Sequence, residues 1–262
     1  MPVPTSASSE RYAPTQRFSN RVDDYERWRP GYPAALTQWL VAHAELSPGD
    51  AVADIGSGTG LFTRDLLAAG LHVYGIEPNA PMRAAAERNF ADNAAFESID
   101  GRAESTALPP ASVRLITAAQ AFHWFDVERA RAEAQRILMP GGQVALIWNV
   151  RRIDTPFLVE YENMLLRLAP EYGQLGMPEQ ASPSQMETFF GHRDWQQQRF
   201  DYVQRFDRAG LRGRLLSSSY VPAPGSAGHA AIVAACDALF EQHACDGRVE
   251  FPYDTRVFLA PI

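Results

Sequence analysis

The sequence predicts an α/β chain built on an open, mostly parallel seven-stranded sheet, with helices on both faces and an antiparallel edge strand. Three observations predict it. Short apolar runs alternate with amphipathic helical stretches from residue 51 to residue 149. The runs are apolar almost throughout, as parallel strands covered on both faces require. Beyond residue 150, WQQQRFDYVQRF and VEFPYDTRVFLA alternate apolar and polar residues, the pattern of antiparallel strands with one open face.

Each element follows in order. Pro33 opens an amphipathic helix, PAALTQWLVAHAEL, with Leu36, Trp39, Leu40 and Ala44 on one face. Ser47-Pro48-Gly49-Asp50 turns into the strand AVADI, and LFTRDLLAA is a helix that Gly70 stops. HVYGIE is the second strand and APMRAAAERNF the helix after it; AFESI and VRLITAAQ are the third and fourth strands. DVERARAEAQRIL begins with acids and ends with Arg, as a helix dipole favours. Pro140-Gly141-Gly142 is expected as a turn into the fifth strand, QVALIWN. TPFLVEYENMLLRLA reads as helix, 170–185 as loop, and 209–217 and 227–243 as helix. The second half therefore adds to the same sheet. The expected division is a disordered 1–17 and a single domain over 18–262: an N-terminal helical lid (18–46), a cofactor-binding core (47–150), and substrate-side helices with the last strands (151–262).

The chain has 262 residues, 46% hydrophobic, with net charge −7, an ordinary composition for a globule with a sizeable core. Its N-terminus has no signal-peptide core and no run is long enough to span a bilayer, so a cytoplasmic protein is expected. Two cysteines make neither a disulfide framework nor a metal site, and the histidines other than His123 show no ligand spacing, so no metal is expected. Every basic residue is Arg, without a single Lys. That excludes a phosphate loop ending in Gly-Lys-Ser/Thr and any lysine Schiff base. Scattered arginines on an acidic chain argue against a nucleic-acid partner.

The candidate site starts at AVADIGSGTGLF. Ligands of open parallel sheets bind beyond the carboxyl ends of the strands. Asp54 and the glycines Gly56, Gly58 and Gly60 stand there after the first strand, and Glu77 after the second. A carboxylate at that second position accepts hydrogen bonds from ribose hydroxyls. The spacing G-x-G-x-G differs from the G-x-G-x-x-G of dinucleotide folds, because Leu61 stands where the third glycine would be. Asp54 would repel a pyrophosphate but attract a sulfonium or ammonium. A ribose-bearing cation without phosphate is S-adenosylmethionine.

On these residues the chain resembles the class I S-adenosylmethionine-dependent methyltransferases of the type 11 group, in the branch that includes trans-aconitate methyltransferase-like enzymes. The matching stretches are RVDDYERWRPGYP, DIGSGTG, GIEPN, GRAESTALP, AQAFHWFD and ILMPGGQVALIWN, with SSSYVP, DGRV and PYDTRVF in the C-terminal half. The resemblance implies a Rossmann-like fold with S-adenosylmethionine as cofactor. It places Gly56, Gly58 and Gly60 along the methionine part, Glu77 at the ribose, Asn79 and Met82 beside the adenine, and Ala103 and Glu104 along the adenine edge. Arg102 stands where many relatives carry an acid that accepts from the adenine amino group, so Glu104 or a backbone carbonyl must substitute.

In such folds the loop after strand four, AQAFHWFD, faces the transferable methyl. Gln120 and Phe122 are assigned to the cofactor. His123 is the candidate general base, with packing inside the aromatic run as the alternative role. Phe122, Trp124 and Phe125 form either an apolar, cation-π wall or plain core. Tyr25 and Arg29, before the sheet, are candidates to hold the methionine carboxylate beneath a lid. The expected reaction is methyl transfer to a small organic molecule at a carboxylate or hydroxyl oxygen. A nitrogen or carbon acceptor, or a nicotinamide-dependent oxidoreductase on a similar sheet, are the alternatives. Arg151, Arg152, Arg205, Arg212 and Arg214 are candidates to meet a small anion.

Overall fold

The computed structural model describes residues 22–174, 181–218 and 220–262, excepting the side chains of residues 23–25, 173 and 174. The expected disorder of 1–17 and the lid before Val22 lie outside the described residues. The first half runs α1 (Val22–Trp28), α2 (Ala34–His43), β1 (Ala51–Ile55), α3 (Thr63–Ala68), β2 (His72–Ile76), α4 (Ala80–Asn89), β3 (Phe96–Ile99), β4 (Val113–Ala119) and α5 (Val127–Ile137). The second runs β5 (Leu138–Arg151), α6 (Pro156–Leu168), α7 (Pro170–Gln174), α8 (Pro183–Phe190), β6 (Gln196–Phe206), α9 (Arg208–Leu216), α10 (His229–His243) and β7 (Val249–Ala260).

All seven strands form one sheet in the order β3-β2-β1-β4-β5-β7-β6. The first five pair in parallel, while β7 pairs antiparallel with both β5 and β6. The antiparallel pairing expected at one edge is present, with the reversed strand one place in and covered by β6. The order reverses at β1, between β2 and β4, so Asp54 and its loop sit where an open sheet leaves a crevice.

Two expectations are corrected. Pro140-Gly141-Gly142 lies inside β5 rather than in a turn: Leu138 pairs with Val113 and Gln143 with Leu115, so five residues of β5 span two of β4 and the excess bulges out. The stretch 170–185 is not all loop. It contains α7 and the start of α8, whose N-terminus is closed by a capping box between Ser182 and Gln185. The single Ser-Pro-Ser-Gln signal was legible, but the apolar period behind it is only two turns long.

Three apolar clusters hold the layers together. On one face, Trp148, Phe122, Phe189 and Phe190 pack with Ile137 of α5. On the other, Leu36 and Leu40 of α2 and Leu66 of α3 cover Leu115, Ile147 and Val257. The third joins α6, α9 and α10 to β7 through Tyr161, Leu211, Ile232 and Phe251. Each is fully buried or nearly so, so truncating one such Leu to Ala costs about 2–5 kcal/mol.

Candidate active site

At the end of β1 the chain turns through Gly56 and Gly60, with φ of +72° and +87°, both in the region that favours glycine. Their missing side chains are explained by the protein itself. A Cβ on Gly56 would lie 2.5 Å from Cβ of Ala121, and one on Gly60 would lie 2.3 Å from the Phe90 ring. Gly58 differs, because the nearest atom to a Cβ there is Met82 Sδ at 3.8 Å. Of the three, Gly58 is the one where a Cβ would meet no overlap, only an ordinary contact.

Glu77 is buried at the end of β2 and fixed by backbone. Gly58 N–H donates to one carboxylate oxygen at 2.9 Å and Asn79 N–H to the other at 2.8 Å. Burial pushes its pKa up, while these two amides and Arg83 pull it down. Each oxygen keeps acceptor capacity for a further donor. Asn79 caps α4 by accepting from Met82 N–H, and Pro81 in the first turn suits that start. Thus Gly58, Glu77, Asn79 and Met82 converge at one place.

Asp54 is also buried, and both of its oxygens are engaged: Thr63 Oγ1 donates at 2.7 Å and Thr117 Oγ1 at 2.8 Å. It ties β1 to α3 and β4 instead of standing free. Burial pushes its pKa up to about 6, against the pull of the two hydroxyls. Neither Thr63 nor Thr117 was anticipated from the sequence. Only the three-dimensional meeting of β1 with β4 brings Thr117 to it, at the register Asp54↔Thr117.

After β4, Gln120 adopts φ +58°, a strained conformation for a side-chain-bearing residue and one that clusters at functional sites. Its N–H donates to Ile147 O and its Nε2 to Asn149 O, which locks this corner to β5. Phe122 lies 1% exposed between Phe125, Trp148 and Phe189, edge to face; it is core beneath the loop. His123 is half-buried, and its Nδ1 is buried without a partner. Burial pushes its pKa down to about 4, so the ring is neutral at physiological pH. Ala103 is buried and Arg102 exposed in the turn beyond β3, whose ends join through reciprocal Arg102 and Ser105 backbone bonds. Glu104 accepts from Asp126 N–H at 2.8 Å.

Helix α1, in the segment expected to form a lid, and Arg29 just beyond it contact both sides of this crevice. Asn89 Nδ2 donates to Glu26 and to Thr59 O, linking α1 to the glycine loop. On the other side Trp28 packs against Gly213 and Phe206, and Arg29 donates to Ser217 O at 3.2 Å. Arg29 therefore contacts the C-terminal end of α9. The side chain of Tyr25 lies outside the described residues. Asn149 Nδ2 donates to Gly31 O and Thr255 Oγ1 to Asn149 Oδ1, a link that the sequence did not single out.

This donor set fits S-adenosylmethionine. Two buried carboxylates suit a cation and a ribose diol and oppose a phosphate. The orphaned Thr59 hydroxyl and His123 nitrogen, both buried, await polar partners at the same loops. No group of three metal-ligating side chains occurs among the described residues, and no helix among them is long and apolar enough to cross a membrane.

Comparison with known proteins agrees. Residues 53–146 match the family described as "Methyltransferase domain". An uncharacterised methyltransferase of Mycobacterium tuberculosis is 38% identical over 138 residues, 51% of this chain and 52% of that protein. Another, from Schizosaccharomyces pombe, is 28% identical over 202 residues, 77% of each chain. The match thus spans about half the length of the first relative. A solved putative type II methyltransferase from Anaeromyxobacter dehalogenans superposes with a TM-score of 0.64 at 25% identity, covering 89% of this chain and 97% of that one. The fold is shared by Haemonchus contortus phosphoethanolamine N-methyltransferase 2, solved with phosphomonomethylethanolamine and S-adenosylhomocysteine (TM-score 0.56, 16% identity, 95% of this chain and 58% of that one). The glycine loop and the two acids thus lie within the stretch, residues 53–146, that is similar to the methyltransferase domain family, and the side chains gathered there fit S-adenosylmethionine.

Proposed function

We propose that the protein transfers a methyl group to an oxygen of a small acidic organic molecule. S-adenosylmethionine supplies the methyl already activated on a sulfonium, so the chain has to bind, orient and exclude water. Glu77, oriented by the Gly58 and Asn79 amides, accepts from the ribose hydroxyls. Gly58 leaves room for the methionine part; Met82, Ala103 and Glu104 flank the base; Gln120 closes the floor. Asp54, ionised at neutral pH, favours a cation nearby. The lid carrying Tyr25 and Arg29 closes over the crevice from α1.

The observation that carries the oxygen reading is the state of His123. With a pKa near 4 it is a weak base, since proton transfer is most effective with a pKa near the working pH. A carboxylate acceptor is ionised already and needs no base. The resemblance to the trans-aconitate branch supports the same acidic class, and the acidic, Lys-free surface supports a small molecule over RNA or DNA. The N-methyltransferase sharing this fold favours a nitrogen acceptor as the second reading.

Purified protein with labelled S-adenosylmethionine and a panel of organic acids, phenols and amines, read by mass spectrometry, tests it. Esters are the expected products, and His123→Ala should keep most of its turnover. A loss of about 10²-fold would assign His123 a general-base role on a hydroxyl. Methylation of RNA or protein alone would overturn the small-molecule reading.

A further inference from the structure

We propose that the methyl acceptor carries a carboxylate separate from the oxygen that is methylated, and that Arg214 and Arg151 hold it in a pocket between β5, α7, α9 and β7. This rests on the methyl-transfer reading above and extends it to the far end of the substrate.

Five arginines of the second half were candidates to meet an anion, and the structure separates them. Arg152, Arg205 and Arg212 are exposed and paired with Asp154, Glu250 and Asp237. Arg151 and Arg214 are 8% and 7% exposed. Arg151 Nη2 donates to Glu162 and to Tyr172 OH, its guanidinium lies 5.3 Å from the Tyr161 ring centroid, and its Nε is buried without a partner. Arg214 donates to Ser218 Oγ at 3.1 Å and, at a long 3.4 Å, to Tyr253 OH. Among the described residues the only carboxylate bonded to either guanidinium is that of Glu162.

The charges do not balance. Two guanidiniums sit close enough to repel each other, facing one carboxylate. Burial pushes the hydroxyls of Tyr161 and Tyr172 up and the thiol of Cys236 up to about 12, so all three stay neutral. One positive charge is left over in a buried place, where an unpaired ion is costly. A single carboxylate matches that surplus, whereas a phosphate dianion exceeds it. The planar guanidinium fork matches a carboxylate in shape as well.

The position suits the far end of a substrate. Asn149, whose carbonyl accepts from Gln120 of the methyl-transfer loop, lies two residues before Arg151 on the same face of β5. Two strand residues span roughly 6.7 Å. A small molecule thus reaches from the loop to the arginines. A carboxylate clasped by guanidinium N–H groups has its lone pairs engaged, so it anchors, and another oxygen receives the methyl.

The test measures thermal unfolding of the protein saturated with S-adenosylhomocysteine, titrated with acetate, acetamide or inorganic phosphate at equal ionic strength. Acetate should raise the melting temperature saturably, by roughly 3 °C for a small ligand well above its dissociation constant. Acetamide, of the same shape without charge, should not, and phosphate should give less. Arg214→Met should abolish the acetate response; if that variant does not fold, Tyr253→Phe, which removes the acceptor at Nε together with the hydroxyl's own bond to Gln204, should at least halve it. Acetate acting no better than acetamide, phosphate acting better than acetate, or a response that survives in the variants would overturn the pocket. The S-adenosylhomocysteine response reads the cofactor site separately. Its presence with no acetate effect removes the pocket alone; its absence removes the methyltransferase reading.

Discussion

Around Glu77 the polar atoms of the site are held by backbone; around Arg214 they are held by other side chains. The Glu77 oxygens accept from amides of Gly58 and Asn79, one of them only two residues away. The Arg214 guanidinium depends on Ser218 and on Tyr253 of β7, and Arg151 on Glu162 and Tyr172 from two helices. Backbone amides at a strand end are placed by the fold in nearly any sequence that forms it. Side chains five or six bonds long are placed only by their neighbours. The end of the crevice at Glu77 is therefore placed by the backbone of the fold, and the end at the two arginines by packing between side chains.

The largest expected effect sharpens the first half of that contrast. Gly56→Ala sets a Cβ 2.5 Å from Ala121 at positive φ, and should cost about 3 kcal/mol or more of folding stability, as a core overlap with backbone strain does. Gly58→Ala meets only Met82 Sδ at 3.8 Å. It should cost about 1–2 kcal/mol from its left-handed backbone, yet weaken cofactor binding more than Gly56's own strain would suggest. Urea denaturation and calorimetry separate the two, and equal stability losses would break the distinction between packing and ligand glycines.

Next in size, Glu77→Ala should weaken S-adenosylmethionine binding by about 1.5–3 kcal/mol, the range for lost bonds to a charged group. Unchanged affinity would remove Glu77 from the ribose.

A smaller effect follows from Asp54. Its folded pKa of about 6 lies above the ordinary 3.8, so the folded state holds its proton more tightly than the unfolded chain. This group therefore adds stability as pH falls from about 6 towards 4, and its charge is present only above 6. Cationic S-adenosylmethionine should then lose affinity relative to its neutral demethylated product by roughly fivefold between pH 7.5 and 5, the size of one screened charge pair. Parallel titrations of both ligands measure the ratio, and a flat ratio would show that Asp54 serves only Thr63 and Thr117.

The smallest effect joins the two regions. A Cβ on Gly213 would fall 2.1 Å from Trp28 Nε1, so Gly213→Ala should displace that ring and loosen the lid while costing about 1 kcal/mol or less overall. Cofactor should slow hydrogen exchange of residues 26–32 in the natural protein and fail to do so in the variant. Equal protection in both would show that the lid does not need its hold on α9.

The strands and helices between residues 51 and 137 stood where their apolar runs, glycine stops and acidic first turns place them, because those signals act over a few residues. The glycine loop and Glu77 likewise follow the ends of the first and second strands as expected, but the bond from the Gly58 amide to Glu77 was not legible, because it depends on those two strands lying side by side. The bulge at Pro140-Gly141-Gly142 was read as a turn because its local chemistry is that of a turn; pairing with β4 overrode it. Phe122 shows the same limit from the other side. An aromatic beside a candidate base looks like a ligand wall until Trp148, Phe189 and Phe125 close around it.

What the sequence determined by itself was the kind of ligand: two acids and a glycine loop at adjacent strand ends, in a chain with no Lys, suit a ribose-bearing cation. What only the tertiary structure decided was which arginines lack an acidic counterpart. Asp154 lies two residues from Arg152 and could be read beside it, but Asp237 comes to Arg212 from α10. Among the described residues Arg214 meets no carboxylate, because the elements that surround it, β7 and its own helix end, bring Tyr253 and Ser218 instead. Charge is written in the sequence, whereas its neutralisation depends on distances of a few ångströms between segments far apart along the chain.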